Sequence, residues 1–171
     1  VKSAIRTRLR AGASLDELVR DLNLTLGEVM AEGMFVTLAC VRVRGGGPGP
    51  REAEFALAGH LSILHFVRAT GEVRELPNEA LPLGVLADEA YRSGRVAVSA
   101  GDVLAVFTDG LTEVQDARGK ELGFAAQRAC LREACVGAGA DGAAIADALL
   151  ARARAHGPQL DDQSVLVVRV L

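Results

Sequence analysis

The chain has 171 residues, half of them hydrophobic, and a net charge of -3 from 19 basic and 22 acidic side chains. That length and apolar content predict one domain with a real core and exclude a disordered chain. The slight acidity, the absence of Trp and the scarcity of aromatics leave no electrostatic or base-stacking case for nucleic acid.

The first element is a short basic helix over Val1 to Arg10 that begins without a cap, so the chain is expected to be cut from something longer. Gly12 ends it. Its stripe of Arg6, Arg8 and Arg10 reads as a solvated face. Ser14 is a good N-cap for a second helix, with Asp16 and Glu17 in its first turn. Leu15, Leu18, Val19, Leu22, Leu26, Val29 and Met30 recur at helical spacing to about Glu32 and read as core.

The period then changes. Phe35 to Val43 and Glu52 to Leu57 predict two strands joined by the loop Gly45-Gly46-Gly47-Pro48-Gly49-Pro50. That loop lacks the Lys-Ser/Thr ending of a phosphate-binding P-loop. Leu61 to Arg68 and Glu72 to Leu76 predict a hairpin, and Arg92 to Val98 and Val103 to Thr108 two more strands. Helices follow over roughly Gly123 to Val136 and Asp141 to His156, with Gly157-Pro158 as a stop and Ser164 to Leu171 as a last strand. The order implies an α+β fold with mostly antiparallel strands. No apolar stretch reaches the ~20 residues that span a bilayer, and no signal peptide precedes the first helix. Cys40, Cys130 and Cys135, odd in number and without a Cys-x-x-Cys, fit a reduced cytoplasmic protein. His60, His65 and His156 are scattered, without metal-ligand spacing.

The apolar run Val103 to Phe107 drives into the acidic turn Thr108-Asp109-Gly110-Leu111-Thr112-Glu113, and Asp161-Asp162 opens the last strand. Antiparallel pairing of those strands would bring Asp109 and Asp161 to one sheet edge. Carboxylates alone suit Mg²⁺ or Mn²⁺ better than Zn²⁺ or Cu²⁺. A water of lowered pKa on such an ion can attack a phosphoryl group. Gly110 would let the backbone turn sharply there. His60 and Asp102 read as turn residues, and Cys130 and Cys135 as small hydrophobes inside a helix layer.

Thr108-Asp109-Gly110-Leu111-Thr112-Glu113 resembles the Thr-Asp-Gly-Leu-Thr-Glu signature of bacterial metal-dependent Ser/Thr phosphatases, the PPM superfamily of the RsbU and SpoIIE type. Phe35-Val36-Thr37, Ala58-Gly59-His60, Leu83-Gly84, Gly101-Asp102 and Asp161-Asp162-Gln163-Ser164 are similar to further family pieces and arrive in the family's order. The resemblance implies a single phosphatase domain over 1–171, built as two packed, mostly antiparallel β-sheets flanked by helices. It implies two Mn²⁺ or Mg²⁺ ions, with Asp109 and Asp161 as ligands and Asp162 and Gly110 in second rank. Thr108, Thr112 and Glu113 would support the loop. The implied substrate is a phosphorylated STAS-type anti-anti-sigma protein, in stress or sigma-factor signalling under an upstream sensor domain. The family's earlier Gly-Asp-Val-x-Gly-His-Gly motif has no counterpart in this chain. It is expected to lie upstream, with the domain's first strands. The alternative is a non-catalytic binding module, and a sheet edge left open would favour a homodimer.

Overall fold

The computed structural model describes residues 2–10, 12–45, 51–77, 79–136 and 141–171, the side chains of 2–4 and 10 excepted. The glycine-proline loop at 46–50, the start at Val1 and the side chain of Arg10 lie outside the described residues. The elements are α1 (Lys2–Arg10), α2 (Leu15–Val29), β1 (Leu38–Arg44), β2 (Arg51–Ala58), β3 (Ile63–Val67), β4 (Glu72–Leu76), β5 (Gly94–Val98), β6 (Val103–Phe107), α3 (Phe124–Val136), α4 (Gly142–His156) and β7 (Val165–Arg169). Two antiparallel sheets flanked by helices result, with strand orders β1-β2-β5 and β4-β3-β6-β7. The chain forms two compact units, Val1–His60 with Asn78–Ala97 and Leu61–Pro77 with Val98–Leu171.

In the first unit, α2 begins in a capping box. The Glu17 amide donates to Ser14 Oγ at 3.2 Å, and the Ser14 amide donates to Glu17 Oε2 at 2.9 Å. Those hydrogen bonds hold the Glu17 carboxyl below its ordinary range. Leu15, Leu18, Val19, Leu22 and Leu26 are buried against Ala56 and Ala58 of β2 and against Leu83 and Tyr91. Each such leucine contributes roughly 1.5–3 kcal/mol by leaving water. The helix ends at Val29 instead of Glu32, because Ala31 to Met34 close a turn of their own. The next strand starts at Leu38, three residues later than its apolar run suggests. Val36 is drawn aside into an isolated bridge with Leu83.

Two buried polar clusters fix this unit. Asn23, 1% exposed, donates from Nδ2 to the carbonyls of Leu86 at 2.9 Å and Ala87 at 3.3 Å. Its Oδ1 accepts from the Gly84 amide at 2.8 Å and from the Tyr91 hydroxyl at 3.2 Å. One side chain thereby ties the loop around Gly84 to Tyr91 onto α2. Glu54, also buried, accepts from Arg42 Nη2 at 2.6 Å and Nε at 3.0 Å, while Arg42 Nη1 reaches the Ala13 carbonyl at 3.0 Å. Burial alone would raise the Glu54 carboxyl, but the Arg42 guanidinium outweighs it and holds it below its ordinary range.

In the second unit all five residues of β6 are buried, as a near-continuous apolar run requires of a strand covered on both faces. Leu64, Phe66, Val103, Ala105 and Phe107 pack with Leu131 and Cys135 of α3 and with Ile145, Leu149 and Ala153 of α4. Asp141 caps α4, accepting from the Ala144 amide at 2.8 Å. Cys135 is buried in this layer and its thiol is pushed up to about 11 by burial, whereas Cys130 is half-buried. All three cysteines are free thiols.

Asp102 does more than shape a turn. Its carboxylate accepts from the Arg68 amide at 2.8 Å, the Ser99 amide at 3.0 Å and His65 Nε2 at 3.1 Å, with both side chains buried. A carboxylate acceptor places the proton of a neutral His65 on Nε2, and Nδ1 then has no partner among the described residues.

Substituting Asn23 by Ala is expected to orphan the Gly84 amide, leave the Tyr91 hydroxyl only the Pro82 carbonyl at 3.3 Å, and cost about 1–3 kcal/mol, measured as a lower urea midpoint at unchanged slope. Because the folded-state pKa of Glu54 is lowered, its contribution is present above the carboxyl's unfolded-state pKa and is lost as pH falls through the folded one. Urea titrations between neutral and acid pH are therefore expected to lose more stability in the native chain than in Glu54→Gln.

Candidate metal centre

The hydrogen-bond ladder between β6 and β7 sets the site. The strands pair antiparallel with Phe107 opposite Val165, so the chain leaving β6 meets the chain entering β7. Thr108 extends the ladder by one step, its amide donating to the Ser164 carbonyl at 3.1 Å. Its hydroxyl then bridges the same two segments, accepting from the Ser164 amide at 3.0 Å and donating to the Asp162 carbonyl at 3.1 Å.

Asp109 opens a 3-10 turn, Asp109–Leu111. Its carbonyl accepts from the amides of Thr112 at 2.7 Å and Glu113 at 2.9 Å and from the Thr112 hydroxyl at 3.0 Å. Thr112 is buried and acts through both backbone and side chain, whereas Glu113 is exposed and enters this turn through its amide. Asp109 is itself exposed, so its carboxylate stays hydrated. Its Oδ1 accepts from the Gly110 amide at 3.0 Å. Among the described residues no Lys or Arg pairs with it.

Gly110 is buried, and its backbone lies against that of Asp162, at the peptide that joins Asp162 to Gln163. A Cβ at that position would overlap the Asp162 carbonyl oxygen and stand 3.1 Å from its carbon. Only glycine lets the two acidic segments come this close. Asp161 and Asp162 are both exposed, and Asp161 Oδ1 accepts from the Asp162 amide at 2.7 Å.

Two residues that the sequence did not single out complete the frame. Gln163 donates to the Gly110 carbonyl at 2.9 Å. Gln127 of α3, fully buried, donates to the Leu111 carbonyl at 3.0 Å and to the Leu149 carbonyl at 3.3 Å, anchoring the turn to both helices. No spacing signal marks Gln127, since a Gln inside an amphipathic helix reads as an exposed position, and Gln163 stands in the Asp161–Ser164 piece without a role of its own. His60 lies in the first unit, just after β2.

The donor chemistry of this rim fits a hard divalent cation in kind, with carboxylates on two adjoining segments and neither thiol nor imidazole. Asp109 and Asp161 are the ligands that the sequence leads one to expect, with Asp162 and Gly110 in second rank. Among the described residues no group of three or more His, Cys, Asp or Glu comes together to hold a metal.

The family described as Stage II sporulation protein E (SpoIIE) matches residues 1–171. No curated protein matches the chain. Among solved structures, the RsbU and RsbW domains of a Mycobacterium tuberculosis protein are 24% identical with a TM-score of 0.75, the match covering 98% of this chain and 45% of that one. The PP2C phosphatase domain of SpoIIE from Bacillus subtilis, with a fragment of its regulatory domain, is 18% identical with a TM-score of 0.77, covering 98% of this chain and 48% of that one. The SiaA PP2C domain of Pseudomonas aeruginosa is 18% identical with a TM-score of 0.72, covering 98% of this chain and 65% of that one. The chain thus spans about half the length of the first two. At these identities the likeness is one of fold.

Gly110→Ala is expected to force the Asp109 turn away from the Asp162 carbonyl at a cost of about 1–3 kcal/mol. Thermal unfolding would register the loss. A variant as stable as the native chain would mean that the close approach is not needed.

Proposed function

This chain belongs to the SpoIIE family, and from that membership we propose that its parent protein is a Mn²⁺- or Mg²⁺-dependent phosphoprotein phosphatase acting on phosphoserine or phosphothreonine. The PPM phosphatase fold supports the reading. The observation that carries it is local: the buried Gly110 brings the Asp109 turn against the backbone of Asp162, two acidic segments on one rim.

A hard divalent cation, when bound, supplies charge for a phosphoryl group and lowers the pKa of water. The chain's own residues do the positioning. Thr108 bolts the ends of β6 and β7 together, and Thr112 and the Glu113 amide hold the Asp109 carbonyl. Gln163 keeps the Gly110 carbonyl in place. The Asp109 carboxylate is left exposed to meet a ligand. The substrate we infer is a phosphorylated STAS-domain protein, and the setting a sigma-factor or stress signalling system with an upstream sensor. A relative joins its RsbU domain to an RsbW domain in one protein, and another carries a regulatory segment beside its phosphatase domain.

A second reading has its own support. The Gly-Asp-Val-x-Gly-His-Gly motif is absent from the sequence, and two adjoining acidic segments do not make a three-ligand group among the described residues. A chain of this kind could bind a STAS-type partner without hydrolysing it.

Calorimetric titration of Mn²⁺ into the chain, beside Asp109→Asn, separates the two. Binding that the variant loses supports the metal-dependent reading. Absence of binding to either supports the binding module. In the parent protein, Asp109→Asn or Asp161→Asn is expected to lower phosphate release from a phosphoserine STAS protein by roughly 100-fold or more, as the loss of several kcal/mol of transition-state stabilisation requires. A native parent protein inert on such substrates with Mn²⁺ would overturn the phosphatase reading.

A further inference from the structure

The first unit carries an apolar surface that the metal rim does not use. Val29 at the end of α2 is 72% exposed, Met34 59% and Val85 50%, and Val36, Leu81 and Leu86 are exposed as well. They are neighbours in space. The bridge between Val36 and Leu83, with amide-to-carbonyl distances of 3.0 and 2.8 Å, lays 34–36 alongside 83–85. Gly84 has a φ of +85°, and its Cα sits against the Met30 side chain and the Met34 carbonyl, which joins the end of α2 to the same surface. Asn23 clamps the carbonyls of Leu86 and Ala87 to α2, so the surface is built and held. Single exposed apolar residues need no explanation, but six on two segments joined this closely do.

The two segments that form the patch carry charge of one sign. Glu28, Glu32, Glu79, Asp88 and Glu89 lie in the two segments that form it, 24–37 and 79–91, and neither segment contains a Lys, Arg or His. Among the described residues none of these carboxylates is in an ion pair. An apolar floor with an unneutralised acidic rim complements an apolar face flanked by cations. It disfavours a second copy of the same patch across a two-fold axis, where the rims would repel. It also disfavours an anionic lipid surface.

We propose that this face is a docking surface for a basic amphipathic segment of a partner protein, whose Leu- or Val-type side chains cover Val29, Met34, Val85 and Leu86 while its Lys or Arg side chains meet the acidic rim. The surface belongs to the first unit and the acidic rim to the second.

The test uses a fluorescein-labelled helical peptide of about 18 residues with Leu on one face and Lys on the other, long enough for about five turns, titrated with the whole chain. Saturable binding that weakens with added salt is expected. Val85→Asp with Leu86→Asp should weaken it by about tenfold or more, as loss of a central anchor does. Glu28→Lys with Glu32→Lys, on an exposed stretch that leaves the core intact, should transfer the preference to the matching Leu/Glu peptide. That exchange keeps the test decisive if the aspartate pair unfolds the chain. Failure of the Leu/Lys peptide to bind, or equal binding to all variants, would overturn the proposal. So would a doubling of mass in sedimentation that Val85→Asp abolishes, which would make the occupant a second copy. Co-sedimentation with phosphatidylglycerol vesicles through the same residues would overturn it in favour of a membrane.

Discussion

The pairing of β6 with β7 is the constraint on which the second unit depends. β6 is buried along its whole length. Its amides and carbonyls must find partners in the sheet, because water cannot reach them. β7 pairs with all five residues, and β3 pairs with Val103 to Ala105 on the other side. The register that results puts the start of the Asp109 turn beside the last residues before β7. The geometry of the acidic rim follows from satisfying a buried backbone, not from any attraction between carboxylates, which would repel.

That repulsion is contained by backbone chemistry. Asp109 and Asp161 each accept from the amide of the next residue, and both stay exposed, where water screens them. The carbonyls beneath them are bound by Thr108, Thr112 and Gln163. A rim of this build has rigid footings and free carboxylates, the combination a cation site needs. The family supplies the reading that such a cation serves phosphoester hydrolysis.

The two units use different devices to hold their loops. In the first, buried Asn23 reaches across more than sixty positions to fix irregular backbone, and Arg42, paired with Glu54 on the neighbouring strand, holds the Ala13 carbonyl. In the second, Asp102 does similar work, taking two amides and His65 at once. Each is a polar side chain kept inside because its hydrogen-bonding capacity is nearly filled, which removes most of the cost of burial.

The elements were legible in the sequence because period and punctuation are local properties. Helical spacing from Leu15 to Leu26, the Ser14 cap and the apolar run into Asp109-Gly110 act over a few residues, and each named its element within a few positions. The six family-like pieces, spread from Phe35 to Ser164, pointed to the family for the same reason. What escaped depends on partners far along the chain. Val36 leaves its strand for Leu83, and the roles of Gln127, Gln163, Asn23 and His65 exist only once residues 16 to 68 positions away are folded beside them. Gly110 lies between the two cases. Its identity could be read as a turn glycine, but the reason that nothing larger fits is the Asp162 carbonyl, which tertiary structure alone brings there.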